Sequence, residues 1–253
     1  MTLRASLAAL LAGMSFLAGC APVSAPVYAP TAPVRTAPPP ATASRDFSGD
    51  AAGTARAFVE VLKRMEPAVE RECLQRRTAP INCDFQFTVE SDPRQEINAF
   101  QAVDPYGRPI IGFTLALIAA ARNADELAFV VGHEASHHIL NHITQKNASA
   151  RNGALIFGAL ASVGGADPRA IQGAQQFGAQ FGARYYSKDW ELQADYLGAI
   201  ITRNAGYDPL HGAQFFMRIP DPGNRVLGSH PARAERIATV QRAVADLQRG
   251  RFY

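Results

Sequence analysis

The sequence predicts an α+β domain, mainly helical, with one small sheet. Two observations carry this expectation. Asp125 to His142, DELAFVVGHEASHHILNH, reads as one amphipathic helix, with Leu127, Phe129, Val130 and Val131 forming an apolar lead-in. Two strand-like runs, Cys83 to Glu90 and Ile110 to Thr114, stand together ahead of it. Strands grouped in this way, with helices before and after, point to a single antiparallel or mixed sheet packed on helices.

In chain order, residues 1–19 carry one early positive charge, Arg4, then an apolar run from Leu7 to Leu17, then small residues. These regions define a secretory signal sequence rather than a structural helix. Leu17-Ala18-Gly19-Cys20 resembles the lipobox of bacterial lipoproteins, which implies a mature chain starting at a lipidated Cys20 and held on a membrane by its acyl chains. Ala21 after the cysteine resembles the sorting pattern for the outer membrane of Gram-negative bacteria. Residues 20–45 are dominated by Pro and Ala with no apolar period, the composition of an extended tether. Residues 46–253 then form one domain with a core of its own. The formal net charge of +3 is spread along the chain without a basic block and gives no support for nucleic-acid binding.

Residues 51–72 are expected to be helical, with an interruption near Pro67. Cys73 and Cys83 are a candidate disulfide in an oxidising compartment, closing a loop that contains Pro80. Two free thiols or a second metal site are the other readings, the latter disfavoured because no histidine is near. The run from Cys83 to Glu90 alternates as a half-buried strand does. Ile97 to Phe100 is a short segment before a turn at Asp104-Pro105-Tyr106-Gly107. Ile110, Ile111, Gly112, Phe113 and Thr114 form a second strand that leads into a helix, Leu115 to Arg122. Asn123 or Asp125 can cap the long helix that follows.

That helix carries His133, Glu134 and His137 as H-E-x-x-H. Histidines four apart stand one turn above each other, so both rings reach one metal ion. The glutamate beside the first is then placed where a carboxylate can take a proton from water held by that ion. Residues 148–183 are rich in Gly and Ala; close helix packing, a flap over the site and contact with a membrane surface are the three readings, packing foremost. The apolar run Ala154 to Val163 is too short to cross a bilayer. Tyr185 to Arg203 is a further helix holding Glu191 and Asp195 on one face among apolar neighbours. Glu191 can complete a three-ligand site, and Asp195 can accept a hydrogen bond from the outer nitrogen of a ligating histidine.

HEASHHILNH, ELQAD, GYDP at 206–209 and SHPARAERI at 229–237, with INAF at 97–100, resemble the M48 family of gluzincin-type zinc metallopeptidases from about Glu66 onward. The resemblance implies a zincin-like domain with its small sheet beside the HExxH helix. It implies one zinc ion per chain, His133, His137 and Glu191 as ligands, and Glu134 as general base. Asp195 matches the aspartate of the second family motif, and His142 a histidine of structural or supporting role. His230 in Ser-His-Pro matches the family's HP motif and is expected near the zinc, as an oxyanion donor or as a plug on the open position; a loop histidine ahead of a helix is the plainer reading. His138 and His211 are expected at the surface or, for His138, in packing. Ser136 departs mildly from the family's small or apolar residue. Neither long transmembrane helices nor tetratricopeptide repeats are present, which resembles the short lipoprotein branch. The expectation that follows is a zinc endopeptidase on the outer membrane, facing the periplasm. It would act on unfolded or misassembled envelope polypeptides, which would add as a strand along 110–114. The alternative is an assembly factor or chaperone for outer-membrane proteins with latent peptidase activity.

Overall fold

A computed structural model describes residues 44–47, 50–77, 79–185, 187–218 and 231–251. The signal and lipobox segment with Cys20, and His230, lie outside the described residues. The domain opens with α1, Ala51–Arg76, capped by Asp50, whose carboxylate accepts from the amides of Ala52 and Gly53. The expected interruption at Pro67 is absent, and the helix runs through it. Pro67 and Lys63, whose carbonyl loses its partner, both lie on the exposed face where water can serve that carbonyl. The opposite face buries Val61, Met65, Ala68 and Val69 and holds both halves to the core.

Cys73 and Cys83 are joined in a disulfide. It fastens the end of α1 to the chain entering the sheet, so residues 83–85 are anchored by burial of Cys83 and Phe85. Strand pairing starts only at β1, Gln86–Glu90. The other strands are β2, Ala99–Val103, and β3, Pro109–Thr114, joined by a turn in which the Asp104 carboxylate accepts from the amides of Tyr106 and Arg108 and Gly107 takes a φ of 81°. The order is β1-β3-β2, with β1 parallel and β2 antiparallel to β3, a mixed sheet. The expectation that a bound chain could pair along Ile110 to Thr114 is therefore corrected. β3 is the central strand, with both of its edges already taken, because the 104–107 turn folds β2 back onto the side that β1 leaves open.

Beneath the sheet runs α3, Ala124–Ile139, after a short α2, Leu115–Ala120. Asn123 is the cap of α3, accepting from the amide of Glu126 at 3.1 Å. Leu127, Phe129, Val131, Ala135 and Ile139 are buried, so α3 is the axis of the core. Its start is clamped by two carboxylates. Asp125 accepts from the amide of Asp208 at 3.0 Å and from Nδ1 of His211 at 2.8 Å, and Glu126 pairs with Arg218. His211 is thus a half-buried partner of Asp125 rather than a surface residue. The helix also ends earlier than the sequence pattern suggested. Asn141 takes a left-handed φ of 58°, a conformation asparagine tolerates, and starts a new helix at His142.

That helix, α4, His142–Val163, and α5, Pro168–Tyr185, form a hairpin. A Cβ on Gly153 would overlap the carbonyl of Gly178, and one on Gly182 would overlap that of Ser149. The glycine and alanine richness of this segment is thus the seam of two helices in backbone contact. After it come α6, Ser187–Asn204, the short α7, Pro209–Gly212, a 3-10 turn, Ala213–Met217, and α8, Arg233–Gln248. Among the described residues no helix is long and apolar enough to cross a membrane.

The disulfide closes a loop of short span, and its removal by Cys73→Ser with Cys83→Ser is expected to lower stability by about 2–3 kcal/mol. Urea unfolding of the double variant beside the oxidised and reduced parent chain measures it; reduction should shift the parent to the variant's midpoint and leave the variant where it is.

Candidate metal centre

Two helices carry the site and meet along their backbones. A Cβ on Gly132 of α3 would stand 2.7 Å from the carbonyl oxygen of Gly198 on α6, and one on Gly198 would stand 2.9 Å from the amide nitrogen of His133. No side chain fits there, so the helices close to a distance that only glycine allows, immediately beside the first histidine. Ser136 and Thr202 line the same crossing and return their hydroxyls to the carbonyls of Gly132 and Gly198 at 2.6 and 2.7 Å. The family-atypical Ser136 is therefore a satisfied buried hydroxyl.

Across this contact the structure brings together His133 and His137 from α3 with Glu191 from α6. The two Nε2 atoms lie 3.1 Å apart, and each lies 3.4 Å from one oxygen of the Glu191 carboxylate. A tetrahedral ion bonded at about 2.0–2.1 Å separates its ligand atoms by roughly 3.3 Å. The spacing of these three donors fits such an ion. Among the described residues this is the group of His, Cys, Asp and Glu side chains that could hold a metal ion.

The outer nitrogens fix which atoms face inward. Nδ1 of His133 donates to Asp195 Oδ1 at 2.9 Å, which leaves its Nε2 lone pair toward the site. For His137 the constraint passes through a second ring. Burial pushes the His142 imidazole down to about 4, so it is neutral, and its Nε2 donates to the Gln193 amide oxygen at 3.2 Å. Its Nδ1 must then accept, at 2.9 Å, from Nδ1 of His137, which turns the Nε2 lone pair of His137 inward as well. His142 is held by stacking on Trp190, ring centroids 6.0 Å apart. Two lone pairs and a carboxylate aimed at one point repel unless a cation or a proton sits among them. Burial pulls the His133 imidazole down, but the Asp195 and Glu191 carboxylates outweigh it and raise its pKa to about 10. Burial and the neighbouring His133 charge push His137 down to about 3. In the absence of metal the pair thus retains one proton, on His133.

Asp195 is fully buried, and Arg236 of α8 grips it through both oxygens, Nε to Oδ2 at 2.8 Å and Nη2 to Oδ1 at 2.7 Å. The guanidinium lies 3.4 Å from the ring centroid of Phe216, a cation–π contact on its other side. Sequence reasoning gave Arg236 no role, though a signal was there. The buried stripe of α8 runs Arg236, Val240, Ala243, Leu247, so an arginine occupies a core position of an amphipathic helix, and a buried charge requires a partner. Gln193 had no such signal. Glu134 follows His133 on α3 and is half-buried. His138 is buried, its Nε2 donating to the carbonyl of Asn82 at 2.7 Å and its ring edge-on to Phe85, so it packs the disulfide loop against α3.

Two outcomes follow. Arg236→Ala leaves Asp195 buried without its counter-charge; metal affinity should fall 10- to 100-fold, and stability by roughly 3–5 kcal/mol, read by metal-buffered titration and by urea unfolding. Because the His133 proton must leave as metal enters, binding should release about one proton at neutral pH and tighten by about tenfold per pH unit up to the His133 pKa, weakening as pH falls. Calorimetry of metal binding in buffers of different ionisation enthalpy counts that proton.

Comparison with curated proteins gave no match. Residues 67–244 match the profile of Peptidase family M48, a span that contains α3, the hairpin, α6 and most of α8, and with them every residue of the site above. The chain belongs to peptidase family M48, a family of metallopeptidases.

Proposed function

We propose that this chain is a zinc-dependent endopeptidase of the bacterial cell envelope, held to the outer membrane through a lipidated Cys20 and degrading unfolded or misassembled envelope proteins in the periplasm. The observation that carries the reading is the convergence of His133, His137 and Glu191 with the outer nitrogen of each histidine already engaged. Nitrogen and carboxylate donors in a three-ligand set suit zinc with one position left open. Zinc bound there supplies a Lewis acid that polarises the scissile carbonyl and makes water a nucleophile near neutral pH.

The remaining work falls to the chain itself. Asp195 holds the His133 ring, with Arg236 fixing the carboxylate, and His142 with Gln193 holds His137. Glu134 takes the proton of the attacking water and delivers it to the leaving amine. The substrate chain lies along β2. Thr114 N donates to Asn98 O and Asp104 N to Arg108 O, so the even-numbered residues of β2 bond inward to β3, and the N–H and C=O groups of Ala99, Gln101 and Val103 face away from it. Main-chain pairing on that edge accepts any extended segment, which favours unfolded polypeptides over compact ones. That Cys73 and Cys83, the two cysteines of the domain, are joined to each other fits an oxidising compartment. His230 lies outside the described residues and takes no part in the reading.

The test compares the zinc-loaded mature chain with its Glu134→Gln variant on a permanently unfolded protein. Both should hold one zinc, and the variant should cleave at least about a hundredfold more slowly. Equal zinc content with cleavage by neither would overturn the reading in favour of a polypeptide-binding assembly factor.

A further inference from the structure

The α4–α5 hairpin carries an apolar surface that the domain leaves uncovered. Its seam, through Gly153, Gly178 and Gly182, takes one side of each helix. What remains of α5 divides by helical spacing. Arg169, Gln172, Gln176 and Gln180 recur three and four apart on one exposed side. Phe177, Phe181 and Tyr185 recur four apart on another, with successive ring centroids 6.4 and 5.6 Å from each other. Phe157 of α4 joins this ladder, 5.3 Å from Phe177 and 5.7 Å from Phe181. Ile156, Leu160 and Val163, at i, i+4 and i+7, continue it along α4. Leu160 is 66% exposed, Val163 90%, Phe177 56% and Tyr185 59%. Single exposed apolar side chains are ordinary, but a contiguous aromatic and aliphatic band marks a surface that meets something.

The charges around the band select among partners. Between residues 142 and 185 stand four cations, Lys146, Arg151, Arg169 and Arg184, and one carboxylate, Asp167. Asp167 caps α5, accepting from the amides of Arg169 and Ala170, both at 2.9 Å. Residues 152–166 and 170–183 hold no charged side chain. Arg184 follows Phe177 by seven and Phe181 by three, so it borders the aromatic band, and Lys146 stands eleven before Phe157 on the same side of α4. An aromatic band edged by cations, with a glutamine side away from it, is the make-up of helices that lie on an anionic bilayer. An apolar polypeptide has no use for the cationic border, and a second copy would set one cationic hairpin against another.

The chain outside the described residues allows that placement. Ser44 is held by its amide and its hydroxyl on Asp125, at 2.6 and 2.8 Å, at the first turn of α3. The 24 residues from Cys20 to Ala43 span up to about 75 Å when extended. The 16 residues of α3 and the 22 of α4 measure about 24 and 33 Å. A bilayer that holds Cys20 is therefore within reach of the whole hairpin.

We propose that the aromatic band of the α4–α5 hairpin is a membrane-contact surface that lies in the headgroup region of an anionic phospholipid bilayer, with Lys146 and Arg184 at the lipid phosphates. No described helix is long and apolar enough to cross, so the hairpin rests on the bilayer. Because α4 begins at His142, in contact with His137, this seat sets the height of the metal centre above the lipid. The proposal rests on the envelope reading for the presence of a membrane, and on the hairpin's own side chains for its chemistry.

The full mature chain carrying Cys20→Ser, which cannot be acylated, is floated with phosphatidylethanolamine vesicles containing roughly a quarter phosphatidylglycerol, and with vesicles of phosphatidylcholine alone. It should bind the anionic vesicles at low salt, and about tenfold more weakly the neutral ones or at high salt. Adding Leu160→Gln with Phe177→Gln, both at exposed positions outside the core, should weaken binding at least about tenfold. Adding Lys146→Gln with Arg184→Gln should remove the preference for anionic vesicles. Leu74→Gln, a matched change at an exposed position of α1, should leave binding as it is. Absence of binding by the Cys20→Ser chain, or binding that survives Leu160→Gln with Phe177→Gln, would overturn the proposal. So would finding that these two changes instead dissociate a dimer, or abolish capture of an unfolded polypeptide, while vesicle binding persists. The mass of the chain taken from membranes tests the anchor separately. An unacylated Cys20 with vesicle binding intact removes the anchor and keeps the hairpin contact; an acylated Cys20 with no binding by the Cys20→Ser chain does the reverse.

Discussion

The site depends on the distance between two helices. His133 and His137 belong to one segment of chain, and any helix with that spacing would present them together. Glu191 and Asp195 come from a helix separated in sequence by the whole α4–α5 hairpin, and they reach the histidines because Gly132 and Gly198 let backbone touch backbone. With even a methyl group at that crossing, α6 would have to move outward. Ligand atoms that must converge to within a few tenths of an ångström would then separate. The buried hydroxyls of Ser136 and Thr202 and the apolar faces of both helices serve the same contact by leaving no polar group unsatisfied along it.

Around that crossing, electrostatics is arranged as a chain of custody. A guanidinium fixes a carboxylate, the carboxylate fixes an imidazole, and on the other side an amide fixes one imidazole that fixes the next. The links among Arg236, Asp195 and His133 are buried, so they are strong when complete and costly when broken, whereas the links through His142 and Gln193 are only partly buried. The consequence is a pair of nitrogens already turned toward a shared point before any ion arrives, so little orientation is left to lose on binding.

Much of this was legible in the sequence for identifiable reasons. The ligands and base follow from local spacing on helices whose apolar periodicity is clear, and that periodicity also gave the helical character of α3 and α6. The disulfide followed from two cysteines in a chain whose opening residues read as an export signal. What was not legible depends on non-local geometry. The pairing order of three short strands cannot be read from their composition, so β3 was taken for an edge when the 104–107 turn makes it central. Asn141, the one non-glycine residue with a left-handed φ among the described residues, splits α3 from α4 and interrupts no hydrophobic pattern that a reader could see. Pro67 misled in the opposite direction, since a helix can tolerate one lost bond on its wet side when its dry side is well packed. Arg236 was visible as a charge on a core stripe, but its partner lies 41 residues earlier in the chain.

The hairpin has an architectural consequence. Its two legs leave from the ends of the ligand-bearing helices and return beside each other, and their mutual seam is made of their own glycines. Beyond its first turn, which holds His142 against His137, the fold therefore treats the hairpin up to residue 185 as a closed excursion whose length does not enter the geometry of the centre. Loop-closure entropy grows only slowly with such length, so that excursion could be lengthened, shortened or exchanged for another self-contained module while the catalytic body kept its shape. In engineering terms, this protein has a built-in socket next to its active centre.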